Sequence, residues 1–396
     1  MQNKIYIQIV VGISLLILTS PTGAQDEQWL QYHSEREAQR IIGDMASSHL
    51  EVTSEKPQVV ELPDFKCDDP FFARWSTPMV ASGGLWIAFD RQNKLSHPYD
   101  LLYIDSNGDG NLADESAIAS YEVDYHSSRR TTFGPIKLIF KGEDGPITYH
   151  INIEFLNYIG RKYLYIRAAG WYEGDITVAG VKKHCVLIDH NANGTFNDKS
   201  LNAAECDRIR IGEKDIWDSL FVGNYIEIDD VLYRPEIARD GAYIKLSKAE
   251  DVIFGNIRLP ETITEFSAGG ENGLFTLKPD KGTGSLPVGR YRVNYWAIER
   301  KDEKGKKWKM QGEGFSGKGD FDITEVKEAE LSIGEPIIST IEPQNRSGTR
   351  AFSHNLKGLL DERIELTSDG ARPQAPRLNI KSKDGMYDRT FSFEYG

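Results

Sequence analysis

The segment Tyr149-His-Ile-Asn-Ile-Glu-Phe155 alternates apolar and polar side chains with a period of two residues. This period is that of a β-strand, because successive side chains of a strand point to opposite faces of the sheet. The apolar set is Tyr149, Ile151, Ile153 and Phe155. The polar residues between them indicate a sheet with one face in water, which is typical of antiparallel sheets.

Similar short runs lie on both sides of this segment, at Leu85–Phe89, Ile136–Phe140 and Tyr163–Arg167. They are rich in β-branched and aromatic residues and are bounded by Gly, Pro and Asp, which favours strands joined by turns. Long helical patterns do not alternate with them, and this argues against a parallel βαβ architecture. We therefore predict a mainly β fold with two or three antiparallel β-sandwich-like domains.

One helix is predicted at the N-terminal side, over residues 26–50. Ala38, Ile41, Ile42 and Met45 recur there at helical spacing. A polar stretch with two prolines follows and ends the pattern. We expect this helix to pack as a leader against the β domain.

The changes of pattern along the chain predict five segments. They are a signal peptide (1–24), a helical leader and linker (25–63), a β domain with two repeated loops (64–224), a β-sandwich-like domain (225–341) and a short C-terminal β region (342–396). The phrase Leu286-Pro-Val-Gly-Arg-Tyr-Arg-Val293 in the fourth segment resembles the strand entry of transthyretin-like or carboxypeptidase-regulatory-like β-sandwich modules. This resemblance covers about ten residues.

The first 24 residues have the pattern of a secretory signal. Lys4 precedes the apolar run Ile5–Leu18, and Thr22-Gly-Ala24 supplies small residues for cleavage. The alternative is an uncleaved membrane anchor, but the run is shorter than the roughly 20 apolar residues of a spanning helix. We predict a secreted or periplasmic protein without membrane insertion after signal cleavage.

The chain is acidic, with a net charge of −13. Removal of the signal segment takes away Lys4 and no acidic residue, so the remainder is one unit more negative. Such a surface repels phosphate backbones and anionic lipid, which disfavours nucleic acid and membrane surfaces as partners. It is compatible with the binding of cations.

One internal repeat is chemically distinctive. Asp105-Ser-Asn-Gly-Asp-Gly-Asn-Leu-Ala-Asp114 recurs 84 residues later as Asp189-His-Asn-Ala-Asn-Gly-Thr-Phe-Asn-Asp198. Oxygen-bearing side chains on alternate residues of a tight loop can surround calcium, which takes six to eight oxygen ligands. The candidate ligands are Asp105, Asn107, Asp109, Asn111, Asp114 and Glu115 in the first loop, and Asp189, Asn191, Asn193, Thr195 and Asp198 in the second.

Both loops resemble EF-hand-type calcium loops, and more closely the dockerin and thrombospondin type 3 variants. They depart from the EF-hand in two ways: an apolar strand precedes each loop, and the twelfth position holds Ser116 or Ser200 instead of glutamate. The resemblance implies calcium binding only. The alternative is that Asn, Asp and Gly simply form turns. Because ligand charge helps to set affinity, the sequence predicts tighter binding at the Asp105 loop.

The cysteines are Cys67, Cys185 and Cys206. In an oxidising compartment one disulfide is expected, and the pair Cys185–Cys206 is preferred because it would enclose the second loop. The other pairings remain open, as does a chain with three buried free thiols.

Catalytic motifs are missing from the sequence: it has no Gly-x-Ser-x-Gly elbow, no His-Glu-x-x-His helix and no phosphate-binding loop. The whole chain resembles exported proteins of environmental bacteria that carry such loops within β domains. We therefore expect a non-enzymatic, calcium-binding structural or interaction module outside the cytoplasm, with an envelope protein or polysaccharide as partner. The alternative is a carbohydrate-binding or carbohydrate-active protein, for which Gly170-Trp-Tyr-Glu-Gly174 offers two aromatic rings.

Overall fold

The computed structural model describes residues 27–58, 60–94, 98–124, 130–143, 145–158, 161–315, 317–346 and 349–395. The predicted signal peptide lies outside these residues. The fold is mainly β, as predicted, and its strands form several antiparallel sheets with one parallel pair. Within the described ranges, no helix has the length and apolar character needed to cross a membrane.

The N-terminal part consists of short strands and one short helix, α1 (Ala38–Ile42). The single helix predicted over residues 26–50 is wrong, because α1 has only five residues and strands flank it. Gly43 ends α1 at a φ of 69°, and a side chain there would collide with the carbonyl of Ile216. The strands are β1 (Gln28–Trp29), β2 (Gln31–Ser34), β3 (Ser48–Leu50), β4 (Phe71–Ser76), β5 (Gly84–Asp90), β6 (Leu101–Ile104), β7 (Ile118–Ala119) and β8 (Glu122–Asp124).

The central part of the chain supplies the longest strands of the first core. Its elements are β9 (Arg130–Lys141), β10 (Pro146–Tyr158), β11 (Arg161–Ala168), β12 (Gly170–Val178), β13 (Val181–Ile188), a 3-10 turn (Ala203–Glu205), β14 (Arg208–Ile211), β15 (Leu220–Phe221), β16 (Ile226–Ile228), β17 (Val231–Ile237) and β18 (Tyr243–Lys248). Strand β10 contains the alternating segment, and its four apolar residues are buried as predicted. Asn152 on the opposite face is also buried, because it donates to the carbonyl of Arg36 in the N-terminal segment.

Four sheets enclose the first core. Their strand orders are β3-β11-β10-β9-β8, β15-β14-β13-β12-β2, β4-β5-β6-β7 and β1-β18-β17-β16. Ile226, Ile244 and Leu246 belong to this core, so it extends past residue 224, where the sequence analysis placed a domain boundary. The short N-terminal strands β1 and β2 pair with β18 and β12, which lie more than a hundred residues away along the chain.

The C-terminal part has a core of its own, which includes Phe266, Tyr291 and Trp296. Strands β27 to β29 extend the sheet that contains β23 and β24, so the predicted third β region is continuous with the second. The strands are β19 (Phe254–Arg258), β20 (Glu265–Gly270), β21 (Gly273–Leu277), β22 (Thr283–Pro287), β23 (Gly289–Lys301), β24 (Lys307–Glu313), β25 (Asp320–Ile323), β26 (Ala329–Glu330), β27 (Ile338–Arg346), β28 (Thr349–Lys357), β29 (Arg363–Ser368), β30 (Arg377–Lys381) and β31 (Asp388–Ser392).

All three cysteines are free and buried, so the preferred disulfide Cys185–Cys206 is wrong. Cys185 points into the first core from β13, whereas the Cys206 thiol donates to the carbonyl of Ser200 at 2.9 Å. The two side chains therefore have separate partners. Burial raises the pKa of Cys67 and of Cys185 to about 12. Both thiols are therefore protonated and poorly nucleophilic at neutral pH.

The thiol count tests this arrangement. Without reductant, the native protein should react very slowly with a thiol reagent, because the thiols are buried and protonated. After unfolding in denaturant, three thiols per chain should react rapidly. A pre-reduced sample is the control. Recovery of a single reactive thiol from the unfolded, unreduced protein would reinstate a disulfide.

Candidate metal-binding loops

The two repeated loops share a left-handed backbone conformation at two positions. Strand β6 leads into the first loop and β13 into the second, so both follow strands as predicted. Gly108 and Ala192 occupy the fourth position with φ values of 75° and 54°, and Gly110 and Gly194 occupy the sixth with 81° and 97°. Positive φ is uncommon for a residue with a side chain, so its occurrence at Ala192 shows that the shared loop geometry imposes it.

The loops also share a hydrogen-bond pattern. The first aspartate accepts the N–H of the sixth residue, from Gly110 to Asp105 at 3.1 Å and from Gly194 to Asp189 at 2.7 Å. The third and fifth side chains each accept an N–H two residues further along the chain. These bonds run from Asp109 to Asn107, from Asn111 to Asp109, from Asn193 to Asn191 and from Thr195 to Asn193. Turn chemistry therefore accounts for the third and fifth positions in both loops.

The carboxylates of the first loop are mostly spread over its surface. Asp105 is 1% exposed, and burial raises its pKa. Asp109 and Asp114 are exposed. Glu115 accepts the N–H of Ser106 at 2.6 Å and its hydroxyl at 2.9 Å, so it closes the loop from outside. The first loop therefore gathers less negative charge at one point than its number of carboxylates suggests.

The second loop lies inside the first core. Asp189 is 2% exposed, and its Oδ2 accepts the hydroxyl of Tyr149 at 2.6 Å. Phe196 packs edge-on against Tyr149 and Tyr172, with ring centroids 6.2 Å and 5.1 Å apart. The apolar residue at the eighth position thus anchors the loop, and Leu112 is buried at the same position of the first loop.

Asp198 is the acceptor on which the neutral side chains of the second loop converge. Its Oδ2 accepts the amide nitrogens of Asn191 at 2.9 Å and Asn193 at 2.7 Å, and the hydroxyl of Thr195 at 2.9 Å. The amide oxygens face the backbone instead. For those oxygens to bind a cation, the two amide groups have to turn over.

A third carboxylate, Asp207, lies beside these residues and is absent from the sequence repeat. It is 0% exposed and accepts the N–H of Asp198 at 2.8 Å and of His190 at 3.2 Å. Burial and the negative charges of Asp189 and Asp198 raise the pKa of Asp207 well above its usual value. Burial likewise raises the pKa of Asp189 to about 7. Asp207 directly precedes β14 and lies outside the repeated loop, so the spacing of the repeat cannot reveal it.

Within the described residues, no group of three His, Cys, Asp or Glu side chains is arranged to hold a metal ion. Calcium, however, also accepts amide and main-chain carbonyl oxygens, which both loops supply. Asp189, Asp198 and Asp207 add charge that such a hard cation favours. The residues fit calcium in chemical type, with the reorientation of Asn191 and Asn193 as a requirement.

Comparisons of the chain with models of known protein families, with curated proteins and with solved structures found no match. The loops are therefore interpreted from their own geometry and charge.

The aromatic segment Gly170–Gly174 forms the start of β12, where Trp171 is 4% and Tyr172 is 8% exposed. These rings are packed in the protein and do not offer a stacking face to a sugar.

The buried carboxylates predict a specific pH dependence in the presence of a chelator. The pKa of Asp207 is raised in the folded chain, so its stabilising contribution is complete below its unfolded pKa of 3.8 and is lost as the pH rises. From about pH 4 upward, the melting temperature of the wild type should therefore fall relative to that of Asp207→Asn. Thermal melting across this range measures the difference.

Asp218→Asn provides the matched control, since Asp218 is exposed on the same part of the chain. Its melting curve should follow that of the wild type at every pH. Parallel pH profiles for the wild type and Asp207→Asn would contradict the raised pKa.

Proposed function

We propose that this protein is an exported, non-enzymatic module whose repeated loops bind calcium as a structural ion. The observation that carries the proposal is the proximity of Asp189, Asp198 and Asp207, of which Asp189 and Asp207 are buried. Buried carboxylates lose hydration and repel one another. A divalent cation would offset both the lost hydration and the repulsion. The hydrogen bonds of the turns do not offset them.

The residue types identify the groups that would hold the ion. In the second loop they are the carboxylates of Asp189 and Asp198, the amide oxygens of Asn191 and Asn193, and the main-chain carbonyl of Thr195. Asp207 would contribute charge from the inner side. In the first loop the corresponding groups belong to Asp105, Asn107, Asp109 and Asn111, with Asp114 and Glu115 nearby.

The surroundings of the loops favour a structural role over a sensing role. A calcium sensor changes the angle between two helices. Here β6 and β13 lead into the loops, and both strands are paired within sheets. An ion that binds only the folded state adds about 2.7 kcal/mol of stability at a hundredfold excess over Kd.

Export is part of this proposal. The signal-like leader supports it, and extracellular calcium modules work with Kd values of roughly 10⁻⁴–10⁻³ M. An acidic surface in such a compartment suits the binding of cations and disfavours nucleic acid. An envelope protein or a polysaccharide is the partner class that we expect.

Calcium should raise the melting temperature of the chelated protein, while its far-UV circular dichroism at 25 °C stays almost unchanged.

Asp207 adds a carboxylate to the second loop that the sequence count omitted, so we now expect the Asp189 loop to bind more tightly. Calorimetry should show that Asp189→Asn removes the tighter event and Asp105→Asn the weaker one.

Asp218→Asn and a titration with magnesium are the controls. Unchanged melting at millimolar calcium would contradict the proposal. A calcium-driven change in secondary structure would instead indicate a sensor.

A further inference from the structure

Three asparagines of the chain are followed by glycine, namely Asn107, Asn193 and Asn272. Such an asparagine can lose its side-chain amide without an enzyme, because the main-chain nitrogen of the following residue can attack the side-chain carbonyl carbon. Glycine has no side chain to hinder this attack and adopts the backbone conformations that the attack requires. The asparagine side chain must also be free to turn towards that nitrogen, and water must reach it. The surroundings of the three asparagines differ in both respects.

Asn272 is enclosed in the C-terminal part. It is 9% exposed, and its Nδ2 donates to the carbonyl of Val288 and to the hydroxyl of Tyr291, each at 3.0 Å. Its Oδ1 accepts the side-chain amide of Asn224 at 3.1 Å. Rotation of this amide would leave buried donors and acceptors without partners, which is costly. The fold therefore protects Asn272.

Asn193 is fixed within the second loop. Its Oδ1 accepts the N–H and the hydroxyl of Thr195 at 2.9 Å and 2.7 Å, and its Nδ2 donates to Asp198 at 2.7 Å. The main chain is fixed as well, because the carbonyl of Asn193 accepts the hydroxyl of Thr77 at 2.6 Å and Gly194 is buried. The side chain cannot turn towards Gly194 without the loss of three hydrogen bonds.

Asn107 has the surroundings that the reaction requires. It is exposed in the first loop, where its Nδ2 donates to Asp109 at 2.9 Å and its Oδ1 accepts the N–H of Asp109 at 3.0 Å. Asp109 is itself exposed, so water can replace both bonds at little cost. The attacking nitrogen belongs to Gly108, whose N–H donates to Asp105 at 2.8 Å. This carboxylate is placed to take the proton that the nitrogen loses when it attacks.

The second loop offers a natural comparison at the same position. Asn191 occupies the third position there, and its Oδ1 likewise accepts the N–H two residues further along, at 3.0 Å. The next residue is Ala192, whose φ of 54° is similar to the 75° of Gly108. The methyl group of alanine hinders the attack, although the loop tolerates it. Asn107 therefore has the reactive neighbour that its counterpart lacks.

We infer that Asn107 is a modification site, at which spontaneous deamidation converts the third position of the first loop into a carboxylate. The nitrogen of Gly108 forms a bond to Cγ of Asn107 and gives its proton to Asp105. The side-chain nitrogen takes up a proton and leaves as ammonia, so that a succinimide ring remains. Water then opens the ring. Cleavage of the new bond to Cγ gives aspartate, and cleavage of the original main-chain bond gives isoaspartate.

The aspartate product changes the charge of the first loop. Carboxylates would then occupy its first, third and fifth positions, at residues 105, 107 and 109. Because ligand charge helps to set affinity, calcium should bind this form more tightly. This consequence rests on the proposed function, whereas the reaction itself does not.

Peptide mapping by mass spectrometry tests the inference. The full folded chain is incubated in excess chelator at mildly alkaline pH, and the replacement of an NH₂ group by OH is located from the peptide masses. Most of Asn107 should be converted while Asn191, Asn193 and Asn272 remain amides. The same incubation in denaturant should also convert Asn193 and Asn272, because only the fold protects them. It shows that the conditions suffice for the reaction.

Gly108→Ala is the matched variant, since the second loop carries alanine at this position. The added methyl group would lie 3.2 Å from Cγ1 of Val80, so that side chain has to shift slightly. Circular dichroism checks that the variant folds. Asn107 should keep its amide in this variant. Calorimetry on Asn107→Asp measures the effect of the added carboxylate on calcium affinity.

Two results would overturn the inference. One is an intact Asn107 in the folded chain under conditions that convert all three asparagines in denaturant, and the other is unchanged conversion of Asn107 in Gly108→Ala. Equal conversion of Asn107, Asn193 and Asn272 in the folded chain would refute the protection by the fold. If deamidation proceeds but Asn107→Asp does not bind calcium more tightly, the modification site stands and the proposed function of the first loop is wrong.

Discussion

The hydrogen bond between the Tyr149 hydroxyl and the Asp189 carboxylate joins two sheets inside the first core. Tyr149 belongs to β10, and Asp189 follows β13, which lies in a different sheet. The bond measures 2.6 Å, and Asp189 is almost completely enclosed. A buried acceptor without its donor is costly, so the two sheets are held in one relative position.

The surrounding side chains make the second loop a central part of the first core. Trp75 stacks on Tyr149 with ring centroids 6.1 Å apart, and its indole N–H donates to the carbonyl of Ala192 at 2.8 Å. Thr77 donates to the carbonyl of Asn193 at 2.6 Å. An ion in this loop would therefore act on the whole core. The first loop is peripheral, since Leu112 anchors it to a small satellite cluster instead.

The C-terminal part has a separate apolar core, and lysines lie opposite one another on one of its hairpins. Trp296 donates to the buried Glu362 at 2.9 Å within a separate apolar core. Above this core, the β23–β24 hairpin presents lysines at opposed positions, which costs stability.

The sequence by itself determined the local features of this protein. Alternation in β10 predicts a strand, and the repeated spacing predicts two similar loops, because each depends on neighbours along the chain. Only the tertiary structure decided the rest. Residues 28–34 lie within the helix predicted over residues 26–50 but form strands instead. They do so because β18 and β12, from distant parts of the chain, provide their hydrogen-bond partners. Asp207 reaches Asp189 and Asp198 in the same way, because packing brings together carboxylates that the spacing of the repeat does not encode.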